Sequence, residues 1–170
     1  MSPASDLNWR AMSAHDLAAV SAIAARVHPD HPEDEAVFAE RLRLYPVGCQ
    51  VLVAAEGDVV GYVISHPWCQ GEPPALNVLL GEIPVPATIY YIHDLALLPG
   101  GRGNGAAAKI VTDLSRHAQQ AGLASVALIA VNHSNRFWQR QGFAIAAASG
   151  LNGKLASYGE HARMMARQLT

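Results

Sequence analysis

The chain has 170 residues, 51% of them hydrophobic, with a formal net charge of −2 and a pI near 6.4. That length and apolar share suit one domain over residues 1–170 with a sizeable core and exclude a disordered or fibrous chain. Lys and Arg form no cluster, which excludes a nucleic-acid footprint, and no run approaches the ~18 apolar residues of a membrane span. Met1–Arg10 lacks the basic start and apolar stretch of a secretory leader. Cys49 and Cys69 have no C-x-x-C spacing, so neither a disulfide scaffold nor a metal site is expected, and a reducing cytoplasm fits.

In chain order, residues 7–12 read as a short first strand. Ser13 is a good N-cap, and Leu17, Val20, Ala24 and Val27 recur at helical spacing, so residues 14–27 read as an amphipathic helix that stops at Pro29. Glu33-Asp34-Glu35 forms the acidic first turn of a second helix, whose apolar face of Val37, Phe38, Leu42, Leu44 and Tyr45 runs to Pro46. Residues 50–55 and 59–65 are β-rich and flank Glu56-Gly57-Asp58, a hairpin signal. Residues 67–87 carry Pro67, Pro73, Pro74, Pro84 and Pro86; a loop of this length in a compact domain usually has a function or covers a groove.

The chain is organised around residues 88–109, where an apolar strand enters a glycine-rich turn and then a helix. Gly100, Gly101, Gly103 and Gly105 allow positive φ and a close approach of backbone to a ligand. Pro99 ends the strand and Ala106–Ala108 start the helix, whose unpaired N–H groups and partial positive charge suit a phosphate; Arg102 adds a fixed charge. The helix continues through Ile110, Val111, Leu114 and Ala118 to Gly122, and residues 124–131 form a continuous apolar run, as in a strand buried on both faces. Ser134 caps a short helix ending at Gly142, a strand covers Phe143–Ala147, and residues 162–169 close the sheet. Gly101-x-Gly103-x-x-Ala106 also fits a dinucleotide fingerprint, but residues 124–131 hold no carboxylate to grip a ribose, and no Gly-Lys-Ser/Thr supports a P-loop.

Leu95-Ala96-Leu97-Leu98-Pro99-Gly100-Gly101-Arg102-Gly103-Asn104-Gly105 resembles motif A of the GNAT (Gcn5-related) N-acetyltransferases, with Gly100 standing where Gln or Arg is usual. Asn132-His133-Ser134-Asn135-Arg136-Phe137-Trp138-Gln139-Arg140-Gln141-Gly142-Phe143 is similar to motif B. The resemblance implies an α/β (α+β) GNAT fold: a mixed, mostly antiparallel sheet of roughly six to seven strands, about four flanking helices, and a splayed parallel central pair admitting the pantetheine arm. It implies acetyl-CoA as cosubstrate, held by Leu95, Leu97, Leu98, Arg102, Gly103, Asn104, Gly105, Ala106, Asn132, Phe137 and Trp138, with Leu97 and Leu98 supplying backbone hydrogen bonds to the arm.

The activity implied is direct acetyl transfer to a primary amine of a small molecule or peptide. An alkyl amine is mostly protonated at neutral pH, so a base is needed. Strand alternation puts Tyr91, His93, Leu95 and Leu97 on one face and Ile92, Asp94, Ala96 and Leu98 on the other. His93 stands where polyamine acetyltransferases of the family carry a glutamate base, and it is the expected base, with Asp94 next. Trp138 occupies the position of a frequent Tyr and cannot protonate a thiolate, so Tyr158, Tyr90 or Tyr91, or water, is the expected acid. Partner copies in a homodimer are compatible with the sequence. The rival reading is a non-catalytic acyl-CoA-binding sensor or interaction module on the same fold, and a hydroxyl acceptor or a longer acyl donor is also open.

Overall fold

Seven strands and four α-helices make up residues 6–71, 73–146, 158–159 and 161–169, the part of the chain described by the computed structural model. In chain order they are β1 (Asn8–Ala11), α1 (Leu17–Val27), α2 (Glu35–Leu44), β2 (Cys49–Val53), β3 (Val59–Trp68), β4 (Ile89–Leu97), α3 (Ala106–Gln120), β5 (Ser125–Ala130), α4 (Asn135–Arg140), β6 (Ala144–Ile145) and β7 (Arg163–Gln168). The sheet runs β1-β2-β3-β4-β5-β7-β6, and β4 with β5 is its parallel pair. The expected mixed, mostly antiparallel sheet with a parallel centre is present.

Two layers of side chains bury the sheet. On one face α3 packs Ile110, Val111, Leu114 and Ala118 against Val63, Tyr90, Ile92, Val126 and Leu128, with Trp138 and Phe143 closing the layer. On the other face α1 and α2 bring Val20, Ile23 and Phe38 against Val51, Tyr62, Ile64 and Ala96. Each such aliphatic side chain removed from water contributes about 1.5–3 kcal/mol. All six residues of β5 are buried, as its unbroken apolar run requires of a strand covered on both sides.

Several boundaries move for local reasons. The first helix opens with a 3-10 turn, Ala14–Asp16, because the Asp16 carboxylate accepts the Ser13 N–H at 2.8 Å. The second begins at Glu35 rather than Glu33, with Asp34 as its N-cap in extended conformation. Glu33 is thereby left outside the helix. β3 runs three residues further than expected, pairing Pro67 with Tyr90 and Trp68 with Ile89. Ser134 precedes α4 without capping it, its hydroxyl donating to the Val131 carbonyl at 2.7 Å. The expected strand from Phe143 shortens to Ala144–Ile145, and its last position, Ala147, lies outside the described residues, as do Met1–Ser5, Ser157 and Glu160.

One irregularity decides the site. Asp94 pairs with Ile64 and Ile92 with Ser65, so His93 is the extra residue of a β-bulge on β4. The bulge shifts the alternation by one. Tyr90, Ile92 and Leu95 share the α3 face, while Asp94 and Ala96 lie on the α1–α2 face. The expectation that His93 and Asp94 point to opposite faces is therefore wrong, since both bond to the segment joining α1 to α2.

Candidate active site

A cavity of about 770 Å³ runs from the glycine turn to a group of histidines, lined by residues of α1, β4, α3, β5 and α4. Its first part is backbone. After the 3-10 turn Pro99–Gly101, Gly103 and Gly105 take φ of +83° and +73°, and α3 starts at Ala106. Lys109 N–H makes the first helical bond, to Gly105, so the N–H groups of the preceding residues have no acceptor within the helix. The other two glycines serve differently from the expectation. Neither Gly100 nor Gly101 has positive φ, and a Cβ on Gly101 would meet Leu52 and the Val60 carbonyl at 3.2 Å, so that glycine lets the turn pack on the sheet.

β4 and β5 pair only over Tyr90–Ile92 and Val126–Leu128 and have no ladder beyond. Leu98 N–H bonds the Val60 carbonyl at 2.8 Å, which places Leu98 in a hydrogen-bonded pair with β3. By antiparallel alternation the N–H groups of Leu97 and Leu95 point away from β3, toward the gap. Leu98 is thus corrected as a donor to an arm in the gap, its N–H being spent on β3. Arg102 Nε donates to the Leu97 carbonyl at 2.9 Å, folding the side chain over the turn. Ala106, Phe137 and Trp138 line the cavity, and Trp138 packs edge-on between Phe137 and Phe143. Asn104 is exposed, its amide bonded to the Arg102 carbonyl at 3.3 Å, and does not line the cavity.

The second part is made of side chains. His93 Nε2 donates to Glu33 Oε1 at 2.7 Å, and the pair is nearly inaccessible, with side chains 1% and 5% exposed. A carboxylate only accepts, so Nε2 carries a proton, and the buried Nδ1 has no hydrogen-bond partner. Asp94 accepts from His28 Nε2 at 2.8 Å and from the Tyr62 hydroxyl. Burial opposes the charged form of both partners. The Asp94 charge and hydrogen bond nonetheless raise the His28 pKa, and His28, His93 and the Tyr62 hydroxyl lower that of Asp94. Asn132, at φ +55°, has its side-chain amide 2.7 Å from His28 Nδ1 and joins the end of β5 to the end of α1. His31 Nε2 donates to the Tyr158 carbonyl at 2.6 Å, and its buried Nδ1 also lacks a partner.

Tyr158 lines the cavity, and its hydroxyl donates to the Pro74 carbonyl at 2.9 Å; burial raises its pKa. Tyr90 is corrected as an acid candidate. It faces α3, bonded to Ser65 at 2.7 Å, and does not line the cavity. Tyr91 is fully buried behind Tyr158 and does not line the cavity either.

His93, Asp94 and Tyr158, the catalytic candidates, all line the cavity. Sequence reasoning missed His28, His31 and Glu33. The available signal was the stretch from His28 to Asp34, where two histidines and three acids crowd between two helices around Pro29 and Pro32. Among the described residues no group of three or more His, Cys, Asp and Glu is arranged to hold a metal, and no helix is long and apolar enough to cross a membrane.

The fold agrees with comparisons to known proteins. No curated protein sequence matches the chain. Among solved structures, Ard1 from Thermoplasma volcanium superposes with a TM-score of 0.71 at 20% identity, over 96% of this chain and 98% of its own. YhbS from Escherichia coli in complex with CoA gives 0.61 at 21%, over 100% and 85%. Chaetomium thermophilum Naa20 in complex with a bisubstrate analogue gives 0.67 at 14%, over 95% and 86%. At these identities the likeness is one of fold. The model of the acetyltransferase (GNAT) family matches residues 10–143, most of the chain, and with the splayed pair and the glycine turn in place the chain belongs to that family.

Proposed function

We propose that the protein transfers an acetyl group from acetyl-CoA to a primary amine, with His93 as the base. The residues present fit the cosubstrate. The positive-φ glycines and the start of α3 suit a pyrophosphate, and a Cβ at Gly103 or Gly105 would meet nothing within 4 Å, so the turn is open on that side. The Leu95 and Leu97 N–H groups are the backbone donors for an arm lying between β4 and β5, and Phe137 with Trp138 supplies the apolar wall. Acetyl-CoA brings the thioester as acyl donor.

The observation that carries the reading is the His93–Glu33 pair, with His93 on the wall of a cavity that begins at the glycine turn and its buried Nδ1 left without a hydrogen-bond partner. An imidazole is well matched to deprotonating an amine near neutral pH. Glu33 behind Nε2 fixes the tautomer and stabilises the imidazolium formed on proton uptake, as a carboxylate does behind any histidine base. His31 also has a buried Nδ1 without a partner, but a neutral carbonyl backs it, which stabilises its charged form less. We assign Tyr158 to holding the proline-rich segment, since its proton is engaged by Pro74. Neither cysteine serves as a nucleophile. Burial raises the Cys49 thiol to about 12, and Cys69 lies outside the cavity wall, so transfer is direct.

Thermal-shift titration with acetyl-CoA, CoA, NAD and ATP, followed by turnover on an amine panel, tests the proposal. Stabilisation by the two CoA species at 100 times Kd should reach about 2.7 kcal/mol. Stabilisation without turnover on any amine, hydroxyl acceptor or longer acyl donor would favour a non-catalytic acyl-CoA sensor instead.

A further inference from the structure

The proline-rich segment between β3 and β4 is fastened to the start of α2 at a few defined points. Asn77 sits at φ +59°, a conformation that asparagine tolerates and most residues avoid. There its side-chain oxygen accepts the Asp34 N–H at 2.8 Å while its own N–H donates to Glu33 Oε2 at 2.9 Å. Further along, Leu80 and Gly81 N–H donate to the Glu40 carboxylate at 2.6 and 3.0 Å, and the buried Arg41 donates to Glu40 and to the Val78 carbonyl. Leu76, the residue before Asn77, lines the cavity.

Glu33 is the shared element. It lies outside both helices, and its two oxygens are divided between the segment and the base: Oε2 takes Asn77 and Oε1 takes His93. We infer that Asn77 is a positioning residue for His93, acting through Glu33, so that docking of the proline-rich segment orients the imidazole. The inference rests on His93 being the base of the proposed reaction. It also gives the segment a part in acceptor selection. An acceptor that packs against Leu76 in its docked place leaves Asn77 seated on Glu33. One that displaces Leu76 draws Asn77 off the carboxylate and loosens His93.

The test uses the full chain labelled with 15N-histidine. The His93 Nε2–H, buried and bonded to a carboxylate, gives a slowly exchanging downfield proton signal, identified by its absence in His93→Ala. Asn77→Gly keeps the positive φ and the backbone N–H but removes the acceptor for the Asp34 N–H, the bond that seats the Asn77 N–H on Glu33. It should speed exchange of that proton about tenfold or more and lower kcat by about tenfold with KM for acetyl-CoA unchanged, in line with the cost of misplacing a catalytic group. Asn77→Asp, which restores an acceptor, should recover most of both. Glu33→Gln is the reference in which the bond is weakened directly. If exchange in Asn77→Gly equals that of the wild type while Glu33→Gln speeds it, the inference is overturned. Faster exchange with unchanged kcat would uphold the link from Asn77 to His93 and count against His93 as the base. A wild-type protein inactive on every acceptor would sink the proposed reaction, and the exchange data would still decide the link.

Discussion

At the glycine turn the cavity is lined by one short stretch between Leu95 and Ala108 together with Phe137 and Trp138 of α4; around the histidines it is lined by residues drawn from across the chain, His28, His31, Glu33, His93, Asp94, Asn132 and Tyr158. The first part offers N–H groups that no side-chain substitution removes and that do not titrate. The second holds two imidazole–carboxylate pairs on one wall, His93–Glu33 and His28–Asp94, because a bulge turned two consecutive residues toward the same helices. On the proposed reading, the donor end is fixed by local backbone geometry, and the acceptor end is assembled from residues distant in the chain.

The comparison breaks most decisively at His93. His93→Ala should lower kcat/KM by about a hundredfold or more, the usual contribution of a general base, equivalent to about 2.7 kcal/mol or more of transition-state stabilisation. CoA affinity measured by calorimetry should stay within about twofold, because the donor end does not involve the imidazole. Equal losses in turnover and CoA affinity would show that the two parts are not separable. His31→Ala is the companion variant, and a larger loss of turnover there would move the base to His31.

The second pair is sharpened by pH. His28 has a raised pKa, so its contribution to stability is complete below the ordinary value of 6.5 and is lost as pH rises through the raised one. Asp94 has a lowered pKa, so its contribution is present above the ordinary 3.8 and is lost as pH falls through the depressed one. The ion pair therefore stabilises most between about pH 4 and 6.5. Asp94→Asn, which keeps an acceptor for the Tyr62 hydroxyl, should cost about 2 kcal/mol by urea unfolding in that window, less than a fully buried pair because the side chains are 13% exposed. The difference from wild type should shrink above neutral pH. A constant difference from pH 5 to 9 would mean that His28 is not charged beside Asp94.

How much of this was legible follows the same division. Motif A carries its geometry in adjacent residues, so the strand, the turn and α3 are readable in order from Ile89 to Gln120, and the splayed pair follows from the family resemblance. Gly101 was readable as a glycine but not as a packing glycine, since the atoms that demand it belong to Leu52 and Val60, about forty to fifty residues away. The bulge was not readable. Period-two alternation assumes an unbroken ladder, and nothing in Tyr-Tyr-Ile-His-Asp-Leu marks where an extra residue enters; the mismatch is set by pairing with Ile64 and Ser65. Glu33 was read as part of an acidic first turn, a local preference that lost to its bonds with His93 and Asn77.

The smallest effect is expected at the donor end. Gly103→Val places a β-branched residue at φ +83°, where only glycine is comfortable, but the added Cβ would meet no atom within 4 Å. The cost is therefore conformational, about 1–2 kcal/mol, rather than steric within the protein. If the turn relaxes to negative φ to avoid that cost, the N–H groups before α3 are re-aimed. CoA affinity should then fall about tenfold, or ~1.4 kcal/mol, while stability without ligand changes little and kcat at saturating acetyl-CoA is kept. Gly100→Ala is the matched control. Gly100 has neither positive φ nor a neighbour within 4 Å of an added Cβ, so affinity should be unchanged. Should Gly103→Val bind CoA as the wild type does while Gly100→Ala weakens it, the pyrophosphate would be held at the Pro99–Gly101 turn instead of at the start of α3, and the backbone account of this end would need redrawing around the earlier glycine.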